Sequence, residues 1–190
     1  MKDVSVIIPA YNEEKTIGQV IDVVYQSNVS CEIIVVNNCC TDNTSEVAES
    51  KGAKVICCNN KGKGYAMEEG LKAAKNEIVV FLDADIADYH TNLIHLLIDP
   101  IIERDVDFVK STFERTKGGL VTEIATKPLL NILFPELYGF SEPLSGMIAS
   151  KKSVLEKLEF EKDYGVDIGI VIDIMNLKLT TEEVNIGKIE

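Results

Sequence analysis

No apolar run in this 190-residue chain approaches the ~20 residues of a membrane span, so no integral membrane segment is expected. Basic residues are scarce: 19 Lys and Arg stand against 31 Asp and Glu, for a net charge of -12. That balance excludes general electrostatic binding to nucleic acid or an anionic lipid surface. A small anion held by a few local basic groups stays open. Cysteine is sparse, and Cys31, Cys39, Cys40, Cys57 and Cys58 are odd in number with no C-x-x-C, so no disulfide framework is expected. A four-thiolate metal site is disfavoured, because adjacent cysteines point apart and crowd tetrahedral geometry. Two phosphate-binding fingerprints are missing as well. The Walker pattern does not occur, and "KGKGYAME" has Met67 where G-x-G-x-x-G needs its third glycine. The opening "MKDVSVIIPAYNEE" does not read as a secretory signal, since Pro9 cuts a short apolar stretch. The expectation is a cytoplasmic protein with reduced thiols.

What is present is ordinary for one globular domain: 46% hydrophobic and 26% charged residues. Period and punctuation predict buried strands over 4–10, 32–38, 53–58 and 77–85. Helices are expected between them, over 12–27, 41–52 and 62–75. Asn12 is the expected N-cap of the first helix, with acids in its first turn, and Gly52 suits the residue just past the second. The second half predicts a strand over 105–113 and a helix interrupted near Pro128 and Pro135. A short strand, a helix from about Ser150, a buried helix over 164–179 and a strand-like "TEEVNIGKIE" follow. Such alternation means βαβ units: a Rossmann-like α/β fold with a mostly parallel sheet covered on both faces. Ligands of these sheets bind beyond the carboxyl ends of the strands. Pro9-Ala10-Tyr11-Asn12-Glu13, Asn37-Asn38 and Asp83-x-Asp85 all fall there.

The stretch "VVFLDADIADYH" poses an electrostatic problem. If the strand continues, Asp83 and Asp85 share a face, and two close carboxylates raise one pKa unless a positive partner intervenes. Taken alone, D-x-D reads first as a solvated turn, with Asp85 capping the next helix. At the mouth of a nucleotide-type sheet it suits Mg2+ or Mn2+, which take carboxylate oxygens together with substrate phosphates. Lys61 and Lys63 stand at a glycine-rich helix entrance, where unpaired N–H groups already favour anions.

Four segments, "VSVIIPAYNEEKTIG", "EIIVVNNCCTDNT", "NKGKGYAMEEGLKAA" and "IVVFLDADI", resemble the family 2-like glycosyltransferases of the GT-A fold. In the second half, "GGLVTEIATKPLL", "FPELYGFSEPLSGMIASKKSVLEKLEF" and "YGVDIGIVIDI" are similar to the retaining glucosyl-3-phosphoglycerate synthases. The resemblance implies one GT-A domain over 1–190, with a nucleotide-binding half over 1–88 and a sugar and acceptor half over 89–190. It implies a nucleotide-sugar donor such as a UDP-sugar, Mg2+ or Mn2+, and a small phosphorylated acid such as 3-phosphoglycerate as acceptor.

Residue roles follow from the same resemblance. Pro9, Ala10, Tyr11 and Glu13 would line base and ribose, with Asn37 and Asn38 beside them. Asn37 stands where the family has aspartate, and its amide oxygen could accept the uracil N3–H. Lys63 would approach the donor diphosphate, and Asp85 would be the main metal ligand, with Asp83 on the ribose or the metal. Tyr164, Asp167 and the Leu144 backbone would meet the transferred sugar, and Thr122 the acceptor. Leu120 replaces an arginine of the synthases, and leucine cannot grip a phosphate. The chain stops at Glu190, short of the family's histidine metal ligand and closing segment; a homodimer could supply that cover. Asp167 is the candidate base for an inverting reaction. Transfer to a polyprenyl phosphate and a non-catalytic nucleotide-sugar-binding domain are the alternatives.

Overall fold

The computed structural model describes residues 3–86, 89–115, 124, 126–135 and 140–189. Seven strands form one sheet: β1 (Val4–Ala10), β2 (Cys31–Asn37), β3 (Lys54–Cys57), β4 (Ile78–Phe81), β5 (Phe108–Arg115), β6 (Ile148–Lys151) and β7 (Thr181–Ile189). Their order is β3-β2-β1-β4-β6-β5-β7. β6 runs antiparallel to both neighbours, and the other pairings are parallel.

The period-2 pattern assigns each strand residue to a layer. Val4, Val6 and Ile8 of β1 join Val80 and Val109 on one face, under α1 (Ile17–Gln26) and α4 (Leu93–Arg104). Ile7, Val79, Phe81 and Phe108 face the other way, toward α3 (Lys63–Ala73), the short α6 (Lys152–Leu155) and α7 (Val166–Asn176). The remaining helices are α2 (Thr44–Ser50) and α5 (Lys127–Leu133). Both faces of the sheet are therefore buried, as uninterrupted runs such as Ile33–Val36 require.

Several local expectations are corrected. The first helix begins at Ile17, with Thr16 at its N-cap position, and Asn12 lies outside it in a left-handed turn at φ 59°. Asn12 is occupied elsewhere, its Oδ1 accepting the Thr41 N–H at 2.7 Å. β4 ends at Phe81, so Asp83 and Asp85 do not share a strand face; they stand in the turn that follows. Pro128 lies in the first turn of α5, where a proline lacks only an N–H that has no partner anyway. The helix expected near Ser150 starts at Lys152, because Ile148–Lys151 is spent pairing with β4.

Candidate active site

A cleft of about 470 Å3 opens at the carboxyl ends of β1 and β4. Its wall takes Pro9, Ala10, Tyr11 and Glu13 from the end of β1 and Asn38 from beyond β2. Lys61 and Lys63 come from the α3 entrance, and Asp83 and Asp85 from beyond β4. Leu144 enters ahead of β6, and Tyr164 and Asp167 at the start of α7. Nearly all the residues singled out from sequence converge here.

Lys63 is the centre of the charge arrangement. Its Nζ donates to Asp83 Oδ1 and Asp167 Oδ2, each at 2.9 Å, joining three elements far apart in sequence. Burial pulls the ammonium pKa down, but Asp83 and Asp167 outweigh it and hold the value above normal. Asp167 is buried, which raises its pKa, while Lys63 works in the opposite direction. The positive partner of Asp83, expected to be a metal ion, is thus Lys63 in the protein alone. Gly62 admits this arrangement by adopting φ 146°, and its N–H is held by Asn38 Oδ1 at 2.8 Å. Gly146 is required for a different reason: a Cβ there would collide with Asp83 Oδ1 and Lys63 Nζ. Tyr89, fully enclosed, donates its hydroxyl to the Asp83 carbonyl at 3.0 Å and steadies the turn carrying both aspartates.

Two expectations fail or fall outside view. Asn37 does not line the cleft: its Oδ1 accepts the Cys40 N–H at 2.8 Å and its Nδ2 donates to Ser45 Oγ at 2.7 Å. The cause is the sharp turn after β2, where Cys39 takes φ 64° and the Asn37 amide bridges the bend. Thr122 and Leu120 lie outside the described residues. Cys39 Sγ points to the Cys58 carbonyl and Cys40 Sγ to the Ala10 carbonyl, so these thiols serve loop packing.

Sequence reading missed Lys110. It is wholly buried on β5, with Nζ donating to the Ser145 carbonyl at 2.6 Å, just ahead of Gly146. The signal was available: "DFVKSTF" places a lysine in register with Phe108, on an inward face. Burial pushes its pKa down to about 8, against the opposing pull of Asp167. A lysine that releases its proton sooner when folded leaves the unfolded chain binding more protons above about pH 8, so folding becomes more favourable as pH rises. Lys63 is shifted upward and is silent until higher pH. Between pH 8 and 9 the wild type is expected to gain about 1 kcal/mol from this group. Urea unfolding at both pH values, with Lys110→Met lacking that slope, checks it.

Oxygen donors decide which ion could fit. Among the described residues no three His, Cys, Asp or Glu side chains form a complete metal set. Asp83 and Asp85 present hard carboxylate oxygens at the cleft, one of them engaged by Lys63, which suits Mg2+ or Mn2+ sharing its shell with phosphate and water.

Residues 5–158 match the sequence profile of glycosyl transferase family 2. The chain belongs to that family. Within it, the glucosyl-3-phosphoglycerate synthase of Mycolicibacterium paratuberculosis is 35% identical over 196 aligned residues, covering 90% of this chain and 60% of its own length. The synthase of Petrotoga mobilis is 33% identical with the same coverage. The chain therefore spans about 60% of the length of the curated relatives it matches. The crystal structure of the Mycobacterium tuberculosis synthase in complex with Mn2+, UDP-glucose and phosphoglyceric acid matches with a TM-score of 0.92 at 35% identity. All of this chain and 71% of that one are covered. The family 2 fold seen here is GT-A, with seven strands as described. Among the described residues no helix is long and apolar enough to cross a membrane.

Proposed function

We propose that this chain forms the donor-binding and transfer region of a glycosyltransferase. It moves a hexosyl group from a nucleoside diphosphate sugar to a small phosphorylated acid such as 3-phosphoglycerate. Residues 1–88 hold the nucleotide and 89–190 the sugar and acceptor. The observation that carries the reading is Lys63 bridging Asp83 and Asp167 at the strand mouths, beside Asp85. Supporting it, the Mycobacterium tuberculosis relative is known in complexes with Mn2+ and UDP-glucose, and with Mg2+ and UDP.

Asp83 and Asp85 would hold Mg2+ or Mn2+. Bound there, such a cation supplies positive charge that offsets the departing diphosphate. Lys63, aimed into the same space, donates to phosphate oxygens where negative charge develops. Asp167, on the first turn of α7, accepts hydrogen bonds from hydroxyls of the transferred sugar. Retention of configuration is the reading its environment supports. An inverting reaction wants a carboxylate free to take the acceptor proton. Asp167 is instead engaged by the Lys63 ammonium at 2.9 Å, so its carboxylate is not free to take the acceptor proton. Exposed thiols at Cys39 and Cys57 suit a reducing, cytoplasmic setting.

The test is direct. UDP-glucose, Mn2+ and 3-phosphoglycerate are incubated with the chain, and product is followed by NMR. An α-glucosylated acid is expected, abolished by chelation. No binding of any nucleoside diphosphate by thermal shift, with metal present, would sink the reading.

A further inference from the structure

The charges lining the cleft leave a problem for a diphosphate. Among the described residues, Glu13, Asp83, Asp85, Asp163 and Asp167 oppose only Lys61 and Lys63. Lys63 is already neutralised by two carboxylates, so lending it wholly to phosphate exposes a buried aspartate. Lys61 differs. Among the described residues it is the cleft lysine without a carboxylate partner; its Nζ donates to Tyr11 Oη at 2.9 Å and lies 4.2 Å from the ring centre. Both Lys61 and Tyr11 are exposed at the cleft.

Resting on the functional reading above, we infer that Lys61, held in place by Tyr11, binds the donor phosphate nearer the ribose. Three features support this beyond the charge count. The aromatic face and hydroxyl hold a long flexible side chain in one place, so less rotamer freedom is lost when an anion arrives. The phenol accepts only one of three ammonium hydrogens, leaving two for phosphate oxygens. Position matters too. Tyr11 follows the end of β1, in the segment read above as lining base and ribose, whereas Lys63 reaches inward to Asp83 and Asp167. Lys61 therefore stands outward of Lys63, where the first phosphate after the ribose would pass. The two lysines divide the diphosphate: Lys61 takes the phosphate bonded to the ribose, and Lys63 the one bonded to the sugar, and both phosphates leave together as the nucleoside diphosphate.

Uridine, UMP and UDP distinguish this from a general structural role. Calorimetry with Mn2+ is run on the wild type, Lys61→Met, Tyr11→Phe and the double variant. Lys61→Met is expected to weaken UMP and UDP alike by about ten-fold and to leave uridine unchanged, with the deficit shrinking as salt rises. Tyr11→Phe keeps the ring and loses the hydroxyl, so a loss of about three-fold is expected, absent in the double variant. Equal weakening of uridine would overturn the inference, and so would loss confined to UDP, because that pattern belongs to the outer phosphate. Wild type that binds UDP no better than Lys61→Met overturns this inference alone. Wild type that binds no UDP overturns the functional reading with it.

Discussion

Replacing Lys63 by methionine is expected to lower Mn2+-supported UDP affinity about 100-fold, the upper range for a lost charge-assisted bond, while uridine binding changes far less. It should also destabilise the free protein. Removing one partner of a buried ion pair leaves the other charge uncompensated, at about 3 kcal/mol here because Asp83 is partly exposed. The pH dependence identifies the cause. Asp167 already has a raised pKa from burial, and without Lys63 it rises further. A carboxyl raised in the folded state takes a proton there before it does so in the unfolded chain. The deficit is therefore full at pH 7, shrinks as pH falls through the raised value, and ends below the ordinary aspartate pKa. Urea unfolding of Lys63→Met at pH 7 and pH 5, against wild type, measures it. A deficit equal at both pH values would show that lost packing, and not the stranded aspartate, is responsible.

Asp85→Ala is the second large effect. Asp85 is exposed in the turn after β4, so stability should stay within about 0.5 kcal/mol of wild type. Removing groups that merely support a metal ligand costs up to about 100-fold in metal affinity, and removing the ligand itself should cost no less. The expected result is UDP binding that no longer responds to Mn2+, with metal-independent binding retained. Calorimetry with and without Mn2+ reads this directly. An unchanged Mn2+ response would reassign the metal to other groups.

The two variants also separate what Asp83 does. In the protein alone it is Lys63's partner, in the donor complex proposed here it is shared with a cation, and the Tyr89 hydroxyl holds its backbone in either case. Lys63 then acts as a stand-in for the ion. On that proposal, it keeps Asp83 and Asp167 from repelling one another before donor and metal bind.

The strand and helix alternation, the mostly parallel sheet and the cleft at its carboxyl edge were legible in the chain of residues. Each rests on local information: the period of apolar residues, glycine and proline at turns, and carboxylates where an apolar run stops. The same information placed Pro9, Tyr11, Asp83 and Asp85 at strand ends and Lys63 at a helix entrance, whereas Asp167 was named only by the family resemblance. Tertiary structure alone decided which charge meets which. Lys63 and Asp167 are 104 residues apart, and no pattern of neighbours announces their ion pair. β6 inserts antiparallel between β4 and β5, which carries Gly146 against Asp83 and leaves Lys110 inside. Asn37 turned away because a tight bend needed its amide, and Asn12 left its helix because Thr41 did. Polar side chains have several partners of similar energy, and the one chosen depends on which backbone groups the packed sheet leaves unpaired nearby.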